Sequence, residues 1–359
     1  MTGSSIEEQF PLTSKLDIQE PPKDIEEAGS ESGLGGVSLS KRFLRPRTIV
    51  SFLIAIAVVG FALTRFNLDL GAVFTQMSHA NFGYLLLAFA TYYGGFGLRA
   101  ARWKSILQSA DVKPAEGKEL PKIPQLSVVY VLGWFANCIV PAKLGDAYRG
   151  YLLKQRSGTS FGSALGTIFA ERLADMMTLG IVLVATAFIV FGRHIPADVS
   201  VWMYVAIGLA LALIIGVLVV FRFRHFFRSF VPERILDHYI KLEEGALGSF
   251  GRLPTLLVLT ALIWAFEGIR LYFVTLSVSG GVTFAAALFV ALLASLLTVV
   301  PLTPAGLGFV EFGVVGILTV IGVTQQTAAS IALLDRVIAY WSVLLVGAIV
   351  YLIARWAWR

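Results

Sequence analysis

A single cysteine, Cys138, stands in this chain of 359 residues, so no internal disulfide can form. A disulfide-stapled extracellular domain is therefore excluded. Histidine is nearly as scarce: His79, His194, His225 and His238 are scattered in loops and linkers and do not form a metal-ligand cluster. No P-loop, dinucleotide fingerprint or Gly-x-Ser-x-Gly elbow occurs, so no cofactor is expected and no enzyme motif is visible. No N-terminal secretory signal is expected either, because the first residues are acidic and polar. Charge is the last shortage. Only 14% of the residues are charged, where soluble domains carry roughly 25%.

What fills the chain instead is apolar: 57% of residues, with mean hydropathy +0.77. This is the composition of an integral membrane protein. A span needs about 20 apolar residues at roughly 1.5 Å rise each. Runs that reach or approach this length are 48–64, 82–101, 124–140, 161–191, 200–221, 254–278, 282–300, 306–323 and 327–354. The scarce charge is unevenly placed. Residues 1–40 hold eight acids and two lysines, net −6, so the remainder carries +12 against +6 for the whole. That tail, with Pro21-Pro22 and a Gly/Ser-rich stretch, reads as a disordered acidic cytosolic segment. Positive charge elsewhere marks the cytosolic face and anionic lipid rather than nucleic acid.

Basic clusters set the sides of the membrane. Lys41 to Arg47 precede the first run, and Arg99 to Lys122 follow the second, which makes both cytosolic. Lys143, Arg149, Lys154 and Arg156 follow the run 124–140. These are best kept cytosolic by a re-entrant hairpin over 124–156 that breaks at Pro141. The segment 222–252 mixes Phe, Leu and Ile with basic residues and reads as an interfacial amphipathic linker. A second hairpin, 282–323, turns around Pro301–Gly308. Both termini are then cytosolic, in the cell membrane.

An internal repeat follows. The first membrane half is 41–192 and the second is 193–359, each with three spanning helices plus a hairpin. Phe96-Gly97-Leu98-Arg99 parallels Phe266-Glu267-Gly268-Ile269-Arg270, and Pro141-Ala142-Lys143-Leu144-Gly145 parallels Pro304-Ala305-Gly306-Leu307-Gly308. Glu171-Arg172-Leu173 parallels Asp335-Arg336-Val337. Three crossings per half is an odd number, so the halves are inverted. The expected fold is an all-α polytopic membrane protein of two inverted repeats, with sites near the bilayer midplane.

Charges inside spans cost roughly 2.5–3.5 kcal/mol each and mark function or pairing. Glu171 and Asp175 share a helix face at i, i+4, and Glu267 and Arg270 pair at i, i+3. Glu171, Arg172, Asp175, Glu267, Arg270, Asp335 and Arg336 are the gating or ion-pair candidates. Lys143 and Arg149 beside a Pro/Gly break suit an anionic headgroup, since freed N–H groups and helix N-termini can face a ligand. The substrate-binding candidates are Arg102, Asn137, Pro141, Lys143, Gly145, Asp146 and Arg149 around the first hairpin. Around the second they are Thr303, Pro304, Gly306, Gly308 and Glu311.

These residues are also familiar as a set. Asn137 to Arg149 resembles the Asn-x-x-x-Pro-x-(Arg/Lys)-x-Gly-(Glu/Asp)-x-x-Arg signature of the lysylphosphatidylglycerol synthase transmembrane family, also called the flippase-like domain family. Glu171-Arg172-Leu173-Ala174-Asp175 resembles its Glu-Arg-x-x-Asp segment, Pro301 to Glu311 its second Pro/Gly segment, and Arg102-Trp103 its early Arg-Trp pair. Ala305 departs from the usual glycine. The resemblance covers about 45–355 and implies a helical domain that moves lipids, such as aminoacylated phosphatidylglycerol or polyprenyl-linked lipids, between leaflets. The chain ends at Arg359 without the cytosolic synthase domain of lysyl-lipid-making members, so it is not expected to be a synthase. The expected partner is therefore a membrane lipid, anionic or aminoacylated. A lipid-modifying synthase or glycosyltransferase and a second copy of the chain also fit, and nucleic acid does not. Two alternatives stand beside the flippase. One is a membrane-embedded transferase acting on a lipid phosphate, with Asp146 or Glu171 as base. The other is a non-transporting membrane anchor for a partner synthase or glycosyltransferase.

Overall fold

The computed structural model describes residues 69–139, 144–298, 303 and 306–357. The acidic tail 1–40 and the expected first span 48–64 lie outside the described residues. Regular structure among the described residues is helical throughout, with no strand. In chain order the first half contributes α1 (Leu70–Ser78), α2 (Phe82–Ser109), α3 (Ile123–Ile139), α4 (Gly145–Ser157) and α5 (Phe161–Phe191). Next come α6 (Ala197–Arg222), α7 (Arg224–Ser229) and α8 (Glu233–Gly248), then α9 (Leu253–Ser277) after a 3-10 turn. The chain closes with α10 (Phe284–Leu297), α11 (Phe309–Val320), α12 (Gln325–Arg336), a π-helical turn at Val337–Trp341, and α13 (Ser342–Ala357).

Four of the described helical stretches are long and apolar enough to cross a bilayer: Phe161–Phe191, Val199–Arg222, Glu233–Ser277 and Gln325–Ala354. α2 is 28 residues long but carries Arg99, Arg102 and Lys104. By contrast α3, α10 and α11 have 17, 14 and 12 residues. At about 1.5 Å per residue they reach roughly 26, 21 and 18 Å, short of a ~30 Å hydrocarbon core. The polar run after Pro141 forms a helix of its own, α4, ending at a left-handed Gly158.

The centre of the molecule is the pairing of α2 with α9. They run antiparallel. Asn81, which caps α2 by accepting from Gly83 N at 2.9 Å, donates its own backbone N–H to Ser277 O at 2.8 Å, at the far end of α9. At the other end Ser109 Oγ donates to Gly248 O at 2.9 Å, just before α9 begins. α3 packs on α2 and reaches across to α13, while α10 packs on α9 and reaches across to α5. α3 and α10 thus each bridge two long helices that are distant in sequence. α1, a helix the sequence reading did not anticipate, docks on α12 through Gln76, whose amide donates to Thr327 Oγ1 at 3.0 Å and accepts from Ser330 Oγ at 3.0 Å.

The linker 222–252 resolves into α7 and α8. α8 lies along the start of α5, and Arg228 clamps Glu243 with two bonds of 2.9 and 3.0 Å. α6 stands apart. It packs on α5, and most of its apolar surface, including Val201, Leu211, Ile215 and Leu218, is uncovered by the rest of the chain. An apolar face of this kind is stable only against acyl chains or another apolar surface.

Candidate functional site

The first charged group gathers where α2, α3, α4 and α5 meet. Glu171, on α5, is its centre and is fully buried. Arg149 of α4 grips it two-pronged, Nη1 to Oε1 at 3.1 Å and Nη2 to Oε2 at 3.0 Å. The Tyr130 hydroxyl of α3 donates to Oε2 at 2.5 Å, and Arg102 of α2 adds Nη2 at 3.2 Å. Arg102 also clamps Asp175, one turn further along α5, and donates to Thr260 Oγ1 of α9 at 2.9 Å. The Arg149 guanidinium lies over two aromatic faces, 3.8 Å from the Tyr130 ring centre and 4.6 Å from that of Trp103. Such stacking favours a desolvated cation. Arg172 turns the other way and holds Asp146 two-pronged, Nε and Nη2 each at 2.8 Å. Three arginines face three carboxylates, so the group is neutral.

Local sequence makes this assembly possible. Arg149 is the fourth residue after Gly145, so it sits about one turn into α4, on the side facing α3. Gly145 meets Gly133 backbone to backbone. A Cβ on Gly145 would lie 2.0 Å from Gly133 O. Asn137 closes the gap by accepting from Gly145 N at 2.8 Å. Asn137, Gly145 and Asp146 therefore belong to one structure, where the end of α3 meets the start of α4. Pro141 and Lys143 lie outside the described residues.

A second neutral group joins the two long central helices to α12. Arg99 of α2 donates to Glu267 of α9 at 2.5 Å; Arg270 reaches Glu267 at 3.1 Å and also clamps Asp335 of α12. Trp134 of α3 stands between the two groups, its ring centre 5.2 Å from the Arg99 guanidinium and 5.5 Å from that of Arg172. The third contact is Arg336 Nε to Glu311 Oε1 at 2.8 Å, joining α12 to the first turn of α11. Glu311 also accepts from Gly308 N at 2.7 Å, closing the turn that opens the helix. Gly308 has φ +84°, a conformation that a side chain strains. Thr303 Oγ1 donates to Leu307 O at 2.9 Å, and Gly306 N to Thr303 O at 3.1 Å, so Thr303, Gly306, Gly308 and Glu311 lie together at the start of α11. Pro304 lies outside the described residues.

Sequence reasoning singled out the charged members of these groups and missed the uncharged ones. Tyr130, Thr260, Trp134, Tyr92 and Tyr340 all sit in apolar runs with no motif around them; Trp103 belongs to the Arg-Trp pair, but nothing in that pair marks it as a ring under Arg149. Tyr92 donates to Ala339 O at 3.2 Å inside the π-helical turn. Tyr340 donates to Cys138 O at 3.4 Å, tying that turn to the end of α3. The available signal was spacing alone: Tyr130 and Trp134 are i, i+4 and share one face of α3.

A family model described as the lysylphosphatidylglycerol synthase transmembrane region matches residues 48–347. The chain belongs to that family. A UPF0104 membrane protein of Methanocaldococcus jannaschii is 35% identical over 224 residues, 62% of this chain and 94% of the relative. A UPF0104 membrane protein of Pyrococcus horikoshii is 23% identical over 305 residues, 77% of this chain and 88% of the relative. The glycosyltransferase AglD of Haloferax volcanii is 26% identical over 350 residues, 84% of this chain but 54% of the relative.

Proposed function

We propose that this protein moves a phospholipid or polyprenyl-linked lipid between bilayer leaflets, and that it does so with two inverted repeats, each of three spans and a re-entrant hairpin. One observation carries the reading: the ion pairs of the two halves correspond. In each half the arginine after the motif acid grips a carboxylate in the first turn of the hairpin's second arm, Arg172 on Asp146 and Arg336 on Glu311. In each half an arginine of the central helix also clamps the motif acid, Arg102 on Glu171 and Asp175 and Arg270 on Asp335, the first lying three residues past Arg99, the repeat counterpart of Arg270. The antiparallel course of α2 and α9 supports the inversion. The short α3, α10 and α11 support helices that enter the bilayer and turn back. Buried ion pairs on the inner face of a helical bundle are the usual lining of a polar pathway. The anionic part of the lipid is assigned to the hairpin tips, and no reaction is required.

The test is reconstitution. Liposomes carrying the purified protein and a fluorescent phospholipid should expose inner-leaflet lipid to an impermeant quencher faster than protein-free liposomes. Correctly folded protein that gives no acceleration refutes the reading. The AglD relative favours a second one, in which this domain anchors or serves a glycosyltransferase or synthase. Under that reading the protein co-purifies with such an enzyme and moves no lipid. A transferase would instead leave a new lipid species in the same liposomes.

A further inference from the structure

We infer that Asp146 and Glu311 are place-holders for the phosphate of the lipid, with Arg172 as the phosphate-binding residue on the first hairpin's side. The inference rests on the lipid-moving reading and assigns its headgroup site. Three arginines of the first group differ sharply in how they can be reached. The side chains of Arg102 and Arg149 are 1% and 0% exposed, and both end on the buried Glu171. Arg172 is 34% exposed and its partner Asp146 21%. Of these three arginines the one that a ligand can reach is therefore Arg172, not Arg149. Its two bonds to Asp146, both 2.8 Å, form the parallel fork that a guanidinium offers equally to a carboxylate or to two phosphate oxygens. Asp146 is in the first turn of α4, where backbone dipoles favour an anion. The second hairpin offers a related but more enclosed pair, Arg336 Nε on Glu311 at 2.8 Å in the first turn of α11, with side chains 10% and 16% exposed.

Exchange explains how such a pair can open at membrane depth. Pulling a carboxylate off a desolvated guanidinium leaves an uncompensated charge. A phosphate arriving on the same fork replaces one anion by another, so Arg172 is never left bare, and the displaced Asp146 keeps a second cation beside it, Arg149 Nη1 at 3.5 Å. A lipid without an anion cannot perform this exchange. The pair thus acts as both latch and selector, and the ligand class is a lipid bearing a phosphate ester.

Binding, measured apart from transport, tests this. Native mass spectrometry of the purified full chain would be run against dioctanoyl phosphatidylglycerol, dioctanoylglycerol and glycerol phosphate. The phosphate lipid should bind about tenfold more tightly than the neutral one. Asp146→Asn removes the competitor and should tighten phosphate-lipid binding further, by severalfold. Arg172→Gln should reduce it to the level of dioctanoylglycerol. Should Arg172→Gln fail to fold, the double variant Asp146→Asn/Arg172→Gln, which leaves a neutral pair of nearly the same shape, should show the same loss. Unchanged or weakened binding in Asp146→Asn overturns the place-holder. Equal binding of dioctanoylglycerol overturns the phosphate assignment, and glycerol phosphate binding as tightly as the lipid overturns the lipid source. Failure of transport with these binding results intact would count against the lipid-moving reading alone.

Discussion

At the residue scale, Glu171 is the member of the network with most to lose. It accepts from Arg149 and Tyr130, pairs with Arg102, and is fully buried within the protein. Its removal leaves two buried guanidinium groups facing each other, and breaking a buried ion pair costs roughly 3–5 kcal/mol. Tyr130→Phe removes one hydrogen bond to a charged acceptor, about 1.5–3 kcal/mol, and keeps the ring under Arg149. Thermal unfolding in detergent should therefore rank Glu171→Ala well below Tyr130→Phe, and both below the parent. A Glu171→Ala variant as stable as Tyr130→Phe would mean that the cluster is not held together as described.

At the scale of elements, the two hairpin tips depend on backbone geometry more than on charge. Gly145→Val places a branched side chain where Gly133 O already sits 2.0 Å from the position of a Cβ, so α3 and α4 must separate and Asn137 lose its bond to Gly145 N. Overpacking of this kind costs about 1–3 kcal/mol or more. The expected result is a lowered melting temperature together with new proteolytic cleavage between α3 and α4; an unchanged melting temperature and cleavage pattern would contradict the close approach. These tips were legible in the sequence because proline and glycine interrupt apolar runs only where the backbone has a reason to turn. The carboxylates and arginines were legible because charge is costly in a span. Tyr130 and Trp134 were not, since an aromatic in an apolar run looks the same whether it faces acyl chains or stacks on a buried arginine. The π-helical turn at Val337–Trp341 was equally hidden. It depends on tertiary bonds from Tyr92 and Tyr340, and no local pattern announces it. α1 escaped notice because nine residues after a predicted span read as loop.

For the whole molecule, the antiparallel α2 and α9 fix which loops share a face. Residues near Asn81 and Ser277 belong to one end of the pair, those near Ser109 and Gly248 to the other. In a Cys138→Ser background, cysteines introduced at Lys118 and Arg252 should react with an impermeant maleimide from the same side of the membrane. A cysteine at Ser279 should react from the opposite side. Labelling of all three from one side would rule out the arrangement.

The neutrality of each charged group has an electrical consequence. A single cation carried through the full bilayer potential exchanges about 2.3 kcal/mol per 100 mV with the field. Arg102, Arg149 and Arg172 are matched by Asp146, Glu171 and Asp175, Arg99 and Arg270 by Glu267 and Asp335, and Arg336 by Glu311. If the helices rock with the arginines and carboxylates of each group moving together, no net protein charge crosses the field. The membrane voltage then acts on the cycle only through the charge of whatever sits on the arginine fork.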